Sequence, residues 1–342
     1  KTWYFDVTDF APVFKGNKRI TMNGGGQWQE DMDIKFLFIV GTPPRNVIEM
    51  QNIWRVQSKS FSQIMNDEVY EPKAHTLLNN ANAFKIRTAI TGHGQEGEFI
   101  PQNHSIDIDG GAVDFTWQVW TECAENPIYP QGGTWIYDRA GWCPGQATDL
   151  KEIDITALVN PGQNHIFDYN VLGGSGTTNY WTSSQLVSYG NANFNLDAAI
   201  VDVLSPTNKV NYLRTNPICS KPEITIQNTG STTLNSITIE YWINNSLTKE
   251  SYTWNGSLNF LEKENIQLPD PSLLWNNIGV SNNTFHVEIK LANNVTDDYI
   301  HNNTMSSSFE PAPTYPNTFA VWTQTNSGVI NTLTQISETS WE

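Results

Sequence analysis

The residues best suited to chemistry lie in one loop, between Cys123 and Cys143. Within it, Asp138, Arg139 and Trp142 place an acid, a planar cation and a flat aromatic ring on one short segment. The loop is rich in Gly, Pro and aromatic residues and lacks the periodicity of a helix or a strand. A Cys123–Cys143 disulfide would hold such a loop and restrict the unfolded chain by about 3 kcal/mol. We therefore predict this disulfide, around a loop that binds or catalyses.

Two parts of this loop resemble a known family. They are residues 123–128, Cys-Ala-Glu-Asn-Pro-Ile, and residues 138–145, Asp-Arg-Ala-Gly-Trp-Cys-Pro-Gly. Both are similar to segments of the peptide-N-glycosidase F family, bacterial amidases that remove N-linked glycans from asparagine. Further matches follow in the same order along the chain, at residues 6–10, 41–43, 73–77, 87–88, 92 and 94. The resemblance covers about residues 1–195 and implies two packed eight-stranded jelly rolls, the first of them truncated in this chain.

The resemblance implies amide hydrolysis, which needs a carboxylate to activate water and donors to stabilise the oxyanion and the leaving glycosylamine. It places the family's principal catalytic aspartate before residue 1 and one assisting glutamate at Asn23, which has no carboxylate. The other assisting residues match Glu98 and Arg139, our predicted catalytic residues. Glu96 and Ile100 replace the cysteines that flank the glutamate in the family. We expect this chain alone to be inactive as an amidase.

Four residues are predicted to bind substrate: Asp138, Trp142, His93 and Trp120. Trp142 matches a family tryptophan, and its position beside a glycine turn predicts an exposed ring. His93 stands in a Gly-His-Gly-Gln segment and is the best histidine candidate for a polar site. Trp120 lies at the end of a predicted strand, near the disulfide loop.

Each of these residues also has a purely structural interpretation. Glu98 can be a solvated loop acid, and Arg139 can be a partner of Asp138 or of a loop carbonyl. Trp120 and its neighbour Trp117 can pack in the core, as tryptophans in strands often do.

Three histidines, His75, His93 and His104, could be considered as metal ligands. They lack the short spacing and the acidic neighbours of a metal site, so we interpret them as structural. We predict no metal and no other cofactor.

Composition limits the possible partners and the compartment. The net charge of the 342 residues is −16 and no basic run is present, which argues against a nucleic-acid partner. No apolar run approaches the ~20 residues of a membrane-spanning helix. The 13 Trp and the abundance of Asn, Thr and Ser are typical of an extracellular all-β protein. Paired cysteines favour a secreted, periplasmic or cell-surface protein. We expect Cys219 to be a buried free thiol.

Alternating apolar residues between Gly, Pro and Asn turns predict an all-β fold of β-sandwiches. The family resemblance implies that the sandwiches up to about residue 195 are jelly rolls. After them, residues 227–234 and 302–304 resemble the immunoglobulin-like adhesion-type modules of secreted bacterial proteins, which implies an immunoglobulin-like sandwich. The predicted domains are 1–45, the last strands of a truncated first jelly roll; 46–195, a complete jelly roll; 196–310, the immunoglobulin-like module; and 311–342, a linker and an incomplete β domain. The predicted strands of the first part are 3–7, 18–22 and 33–40. Those of the second are 49–57, 84–91, 104–108, 114–121, 150–155, 163–170 and 181–189. Those of the third are 198–204, 223–227, 236–243, 250–254, 262–268 and 284–291.

A short internal repeat links the first two parts. Residues 5–10, Phe-Asp-Val-Thr-Asp-Phe, and residues 153–158, Ile-Asp-Ile-Thr-Ala-Leu, share one pattern, and each is followed by Gly, Asn and a further strand.

Three functions remain open from the sequence. The first is a secreted or cell-surface amidase of the peptide-N-glycosidase F type whose machinery is incomplete in this chain. The second is a non-catalytic relic of that fold that binds carbohydrate or protein, which Asn23 and the loss of the cysteines around Glu98 favour. The third is a scaffold subunit of a bacterial cell-surface or outer-membrane assembly, with partner proteins.

Overall fold

The computed structural model describes residues 2–22, 33–128, 131–271, 275, 278–314 and 318. Asn23 lies outside these residues, as does most of the predicted linker and incomplete domain at 311–342. Residues 1–311 form one compact unit, and the described residues of the second unit, 312–314 and 318, form no helix or strand. The fold is all-β, as predicted, with four sheets whose strand pairs are all antiparallel.

Eight strands and two short helices build the first sandwich: β1 (Arg45–Ser60), α1 (Phe61–Met65), β2 (Lys73–Thr76), β3 (Ala83–His93), α2 (Gln95–Phe99), β4 (Gln102–Ile108), β5 (Phe115–Val119), β6 (Leu150–Asp154), β7 (Asn164–Val171) and β8 (Asn179–Ala192). One sheet has the order β1-β8-β3-β6 and the other β2-β7-β4-β5. Strand β1 thus pairs with β8, β2 with β7, β3 with β6 and β4 with β5. These four pairs form one long antiparallel ribbon that folds over on itself, which is the jelly-roll topology.

Period-two alternation produces this sandwich. In β7, the side chains of His165, Phe167, Tyr169 and Val171 are buried, whereas those between them are exposed or half-buried. Successive side chains of a strand point to opposite faces, so β7 contributes every second residue to the core between the sheets. The seven strands predicted between residues 46 and 195 are all confirmed, and the short β2 was missed.

The predicted strands at 3–7, 18–22 and 33–40 are wrong. The described residues there form no strand, and Phe38, Ile39 and Val40 are 78%, 93% and 97% exposed. No strand of the described chain pairs with them, and an isolated strand has neither a ladder of hydrogen bonds nor a layer on which to bury its apolar face.

The first residues are nevertheless held on the sandwich, through Asp9. A 3-10 helix at Thr8–Phe10 carries this buried carboxylate, which accepts hydrogen bonds from Arg87 Nη1 and Tyr189 Oη, both at 2.6 Å, and pairs with Lys85 Nζ at 3.0 Å. Burial raises the pKa of Asp9, but the Tyr189 hydroxyl and the two cations outweigh it and leave the pKa below its usual value.

The internal repeat has a local structural basis. In its two copies the backbone N–H of Thr8 donates to Asp6 Oδ1 and that of Thr156 donates to Asp154 Oδ1, each at 2.8 Å. Both are Asx turns that redirect the chain after an apolar residue.

Seven strands build a second sandwich: β9 (Ala198–Ser205), β10 (Glu223–Asn228), β11 (Leu234–Ile243), β12 (Glu250–Leu258), β13 (Lys263–Gln267), β14 (Asn283–Ala292) and β15 (Thr304–Phe309). A three-stranded sheet, β13-β10-β9, faces a four-stranded sheet, β12-β11-β14-β15, across an apolar core. The six predicted strands are confirmed, and β15 was missed because Ser and Thr dominate it. Cys219 is exposed, so its predicted burial is wrong: it lies in the surface connection between β9 and β10.

Candidate functional site

The disulfide loop lies at one end of the jelly roll, against the ends of three elements. The backbones of Arg139 and Thr121 form an isolated antiparallel β-bridge. The N–H of Thr121 donates to the carbonyl of Arg139 at 2.8 Å, and the N–H of Arg139 donates to the carbonyl of Thr121 at 3.1 Å. Ala140 donates its N–H to the carbonyl of Glu98 at 3.0 Å and accepts from the N–H of Gly92 at 2.9 Å. The backbone of the loop thus joins the end of β3, helix α2 and the chain after β5.

Glycine permits this close approach. At Gly92 an added Cβ would lie 1.9 Å from the carbonyl oxygen of Gly97, and at Gly141 it would lie 2.0 Å from the carbonyl oxygen of Ile90. Gly141 also has φ = +75°, a conformation that favours glycine.

The predicted disulfide between Cys123 and Cys143 is confirmed, with a Cα–Cα distance of 5.4 Å. Polar side chains satisfy the backbone of this non-periodic loop. Asp138 Oδ1 accepts the N–H of Cys123 at 3.0 Å, and Asn126 Nδ2 donates to the carbonyl of Pro144 at 2.7 Å. One carboxylate oxygen of Asp138, Oδ1, therefore holds the loop.

Arg139 is buried and its guanidinium is fully occupied. Its Nε donates to Glu98 Oε1 at 2.8 Å, and its two terminal nitrogens donate to the carbonyls of Thr134, Trp135 and Tyr137 and to the Thr134 hydroxyl. A guanidinium has five N–H groups, so all of them have partners. Of the two structural interpretations of Arg139, pairing with loop carbonyls is observed and pairing with Asp138 is not.

Glu98 lies on α2 with 20% of its side chain exposed, and it is ion-paired rather than a purely solvated loop acid. One oxygen binds Arg139, and the other makes no hydrogen bond within the described parts of the chain. An ion-paired carboxylate with a free oxygen can still accept a hydrogen bond from a ligand hydroxyl or amide.

His93 and Trp142 form a stacked pair near Arg139. Their ring centroids are 5.5 Å apart, and the guanidinium carbon of Arg139 lies 5.3 Å from the Trp142 ring. Trp142 is half-buried because its Nε1 donates to the carbonyl of Gly92 at 3.1 Å, so the predicted exposure of this ring is wrong. Burial lowers the pKa of His93, and the charge of Glu98 opposes this shift.

An open cleft of about 780 Å³ lies beside the loop. Its lining combines aromatic and aliphatic side chains with a few polar ones: Gln95, Phe99, Trp120, Ala124, Thr134, Ile136, Tyr137 and Asp138. Two predicted binding residues, Asp138 and Trp120, line it, and the other four predicted site residues do not. Trp120 also packs against the core, as its structural interpretation expects, and its role in substrate binding stays a prediction.

Sequence reasoning missed Phe99, Ile136 and Tyr137. Ile136 and Tyr137 are 49% and 59% exposed. The available signal was the run Trp-Ile-Tyr immediately before Asp138.

The remaining histidines have structural partners. His104 is fully buried, with Nδ1 2.7 Å from the hydroxyl oxygen of Tyr169, and burial lowers its pKa to about 3. His75 Nδ1 lies 3.0 Å from Gln51 Oε1. Within the described residues, no group of three or more His, Cys, Asp or Glu side chains could hold a metal ion, and no helix is long and apolar enough to cross a membrane.

Fold and site define a jelly-roll sandwich with an aromatic cleft, an ion pair and a disulfide loop at one end. Residues 60–189 match the family model "Peptide-N-glycosidase F, C terminal". A curated relative, peptide-N(4)-(N-acetyl-beta-D-glucosaminyl)asparagine amidase F of Elizabethkingia miricola, is 29% identical over 191 residues, which are 48% of this chain and 51% of that protein. The resemblance to the peptide-N-glycosidase F family is thus confirmed, and the chain is related to an amidase family.

Solved structures of the same kind of enzyme are also similar. A peptide-N(4)-(N-acetyl-beta-D-glucosaminyl)asparagine amidase is 28% identical, with a TM-score of 0.32 over 35% of this chain and 44% of the other. PNGase F of Flavobacterium meningosepticum, described as a glycosylasparaginase, is 25% identical, with a TM-score of 0.37 over 45% and 55% of the two chains. This chain spans about half the length of the curated relative that it matches, 51%.

Proposed function

We propose that the cleft binds N-linked glycans of glycoproteins at their junction with asparagine. The observation that carries this proposal is the aromatic wall of Phe99, Trp120 and Tyr137 beside the Glu98–Arg139 ion pair, all within the segment that matches the family model. The curated relative is named for its action on N-acetylglucosaminyl asparagine, which is the same kind of ligand.

The chemistry of the cleft suits a neutral sugar. A pyranose ring has an apolar face that packs on an aromatic ring, and hydroxyls and amides that both donate and accept hydrogen bonds. Gln95, Thr134 and Asp138 supply polar groups among the rings. The net charge of −16 disfavours a polyanionic ligand.

We further propose that this chain alone binds the glycan without cleaving it. Hydrolysis needs a base for the water and donors for the oxyanion. Arg139 has all five N–H groups engaged, and Glu98 uses one of its two oxygens for Arg139. Glu98 and Arg139, the proposed catalytic pair, would then contribute to a site that other acids complete.

Several broader proposals accompany this one. The disulfide supports a secreted, periplasmic or cell-surface location. We propose the predicted domains at 1–45, 46–195, 196–310 and 311–342, the third as an immunoglobulin-like module. The second sandwich, with its own closed core, favours the alternative of a scaffold subunit that contacts partner proteins in a surface assembly.

A calorimetric titration of the protein with a glycopeptide that carries Asn-linked N-acetylglucosamine tests the binding proposal. Tyr137→Ala should raise the Kd about two- to twelvefold, since one lost ring contact contributes about 0.5–1.5 kcal/mol. Tyr4→Ala, at an exposed tyrosine outside the cleft, is the matched control and should leave the Kd unchanged. The unglycosylated peptide should not bind.

Mass spectrometry of the same mixtures tests the absence of cleavage. Conversion of the glycosylated asparagine to aspartate would contradict it, and its loss in Glu98→Gln would identify the base. A glycopeptide that does not bind at millimolar concentration would sink the binding proposal and leave the scaffold alternative.

A further inference from the structure

Trp120 lines a second cavity in addition to the cleft. This cavity, of about 190 Å³, is lined by Thr88, Ile90, Trp117, Gln118, Val119, Trp120, Gly141, Asp149, Leu150 and Lys151. We propose that it is a second saccharide subsite, which holds one pyranose ring of a glycan whose first residue lies in the cleft. The inference rests on the proposed function and extends its ligand from one sugar to an oligosaccharide.

The topology of the sandwich creates the cavity. β5 is the last strand of one sheet and β6 the last strand of the other, so the sandwich is open between these two edges. Buried Ile90 and Val119 form an apolar floor, and exposed Gln118, Asp149 and Lys151 surround it. An apolar floor with a polar rim fits a sugar ring, which has apolar faces and a polar edge.

The fold uses the Thr88 hydroxyl of the cavity, which lies 2.7 Å from Ser184 Oγ, but leaves most of the other polar side chains available. Neither the indole N–H of Trp117 and Trp120, nor the Gln118 amide, nor the Lys151 ammonium makes a hydrogen bond within the described chain. By contrast, the indoles of Trp54 and Trp142 each donate to a backbone carbonyl at 3.1 Å. Asp149 uses only Oδ2, for the Thr121 hydroxyl.

Size and charge select the occupant. Pockets for drug-sized ligands span roughly 300–1,000 Å³, so a cavity of about 190 Å³ suits a single ring. The donors of Trp117, Trp120, Gln118 and Lys151 and the acceptor of Asp149 match a ring with several hydroxyls. Asp149 and Lys151 carry opposite charges, so the cavity has no net charge of its own to attract a phosphate or sulfate.

The position of Trp120 in both linings makes the two sites neighbours. One indole borders the cleft and the cavity, so a glycan that extends past Trp120 would reach from one into the other. The chain should therefore bind a longer glycan more tightly than a single Asn-linked sugar.

Two glycopeptides of one peptide sequence test this inference, one with a single N-acetylglucosamine and one with a complete N-glycan. We expect the longer glycan to bind at least tenfold more tightly. Gln118→Ala combined with Lys151→Ala should remove most of this difference without changing the Kd of the short ligand. Trp117→Phe should act in the same direction. Lys73→Ala, at an exposed strand lysine outside the cavity, is the control.

The outcomes separate the two proposals. Equal binding of the two glycopeptides, or an advantage of the long one that the Gln118 and Lys151 changes do not reduce, overturns the second subsite alone. Failure of the short ligand to bind wild-type protein overturns the proposed function. Because the Gln118 and Lys151 changes are at exposed residues, misfolding of the Trp117 variant would leave the test intact.

Discussion

Buried charged side chains have different structural roles in the two sandwiches. In the first, buried Arg139 holds a loop whose Ile136 and Tyr137 stay exposed along a cleft. In the second, the fully buried Asp197 accepts hydrogen bonds from the N–H of Tyr299 at 2.9 Å, from Asn302 Nδ2 at 2.8 Å and from the Thr229 hydroxyl.

The difference shows where a functional surface can arise. Asp197 connects the chain before β9, the turn after β10 and the segment before β15, and so closes one end of its own sandwich. Arg139 instead stabilises a long non-periodic loop, whose apolar side chains need not enter a core because the disulfide and the hydrogen bonds hold the backbone. A buried charge by itself therefore does not identify a site, whereas a held loop with exposed rings does.

Arg139→Lys should break the first half of this comparison most strongly. An ammonium cannot reproduce five planar N–H bonds, so the loop carbonyls and Glu98 lose partners. We expect the first sandwich to lose about 3–5 kcal/mol of its free energy of unfolding, measured by urea denaturation. Arg55→Lys, at an exposed strand position, should have little effect. An unchanged midpoint would show that the loop does not depend on the guanidinium.

Asp197→Ala tests the second half. Removing the carboxylate leaves buried donors of Thr229, Tyr299 and Asn302 without an acceptor, so we expect a loss of about 2–3 kcal/mol. Hydrogen exchange should report this loss in β9, β10 and β15, while the Kd for the glycopeptide stays unchanged. Weaker glycopeptide binding would mean that the two sandwiches do not have separate roles.

Acidic pH should release the segment around Asp9 from the first sandwich. The pKa of Asp9 is lowered in the folded chain, so its stabilisation is present above about pH 4, the unfolded value, and is lost as pH falls through the lower folded value. The protection factors of the amides in residues 8–14, which correct for the intrinsic slowing of exchange in acid, should fall at low pH. Asp9→Asn should show the fast exchange already at pH 7, and Asp6→Asn serves as the exposed control. Slow exchange in Asp9→Asn at pH 7 would contradict this role.

Arg214→Ala should have the smallest effect and sharpen the boundary between the sandwiches. Arg214 follows β9, and its Nη2 donates to the carbonyls of Ala124 and, at 3.1 Å, Asn126 of the disulfide loop. Losing these exposed bonds should cost about 0.5–1 kcal/mol. We expect faster amide exchange in residues 123–128. Because Ala124 lines the cleft, the Kd for the glycopeptide should also change, but by less than threefold. A tenfold change would make the second sandwich part of the site.

The strands that were predicted are confirmed where a second sheet lies opposite and are wrong where none does. The alternation in residues 163–170 and 236–243 predicted β7 and β11, whose apolar faces meet a facing sheet. The apolar run at 33–40 predicted a strand equally well, but its side chains are exposed and no described strand pairs with it. Alternation shows which face of a segment could be buried, but whether another sheet covers that face depends on the whole fold.

The site was predictable in part. Two cysteines around a loop without periodicity were enough to predict the disulfide. Motifs in the same order as in the family matched Glu98 and Arg139 to residues of that family. The contacts of Arg139 were not predictable, because its partners Glu98 and Thr134 are separated by 36 residues and meet only when the loop lies against α2.

By itself, the sequence determined the all-β class, the jelly-roll strands, the disulfide and the family resemblance. These follow from local alternation, composition and short motifs, which are written in neighbouring residues. Only the tertiary structure decided that Asp138 holds Cys123, that Trp120 borders two cavities and that Cys219 is exposed. Those outcomes depend on which distant segments pack together, and no local pattern contains that information.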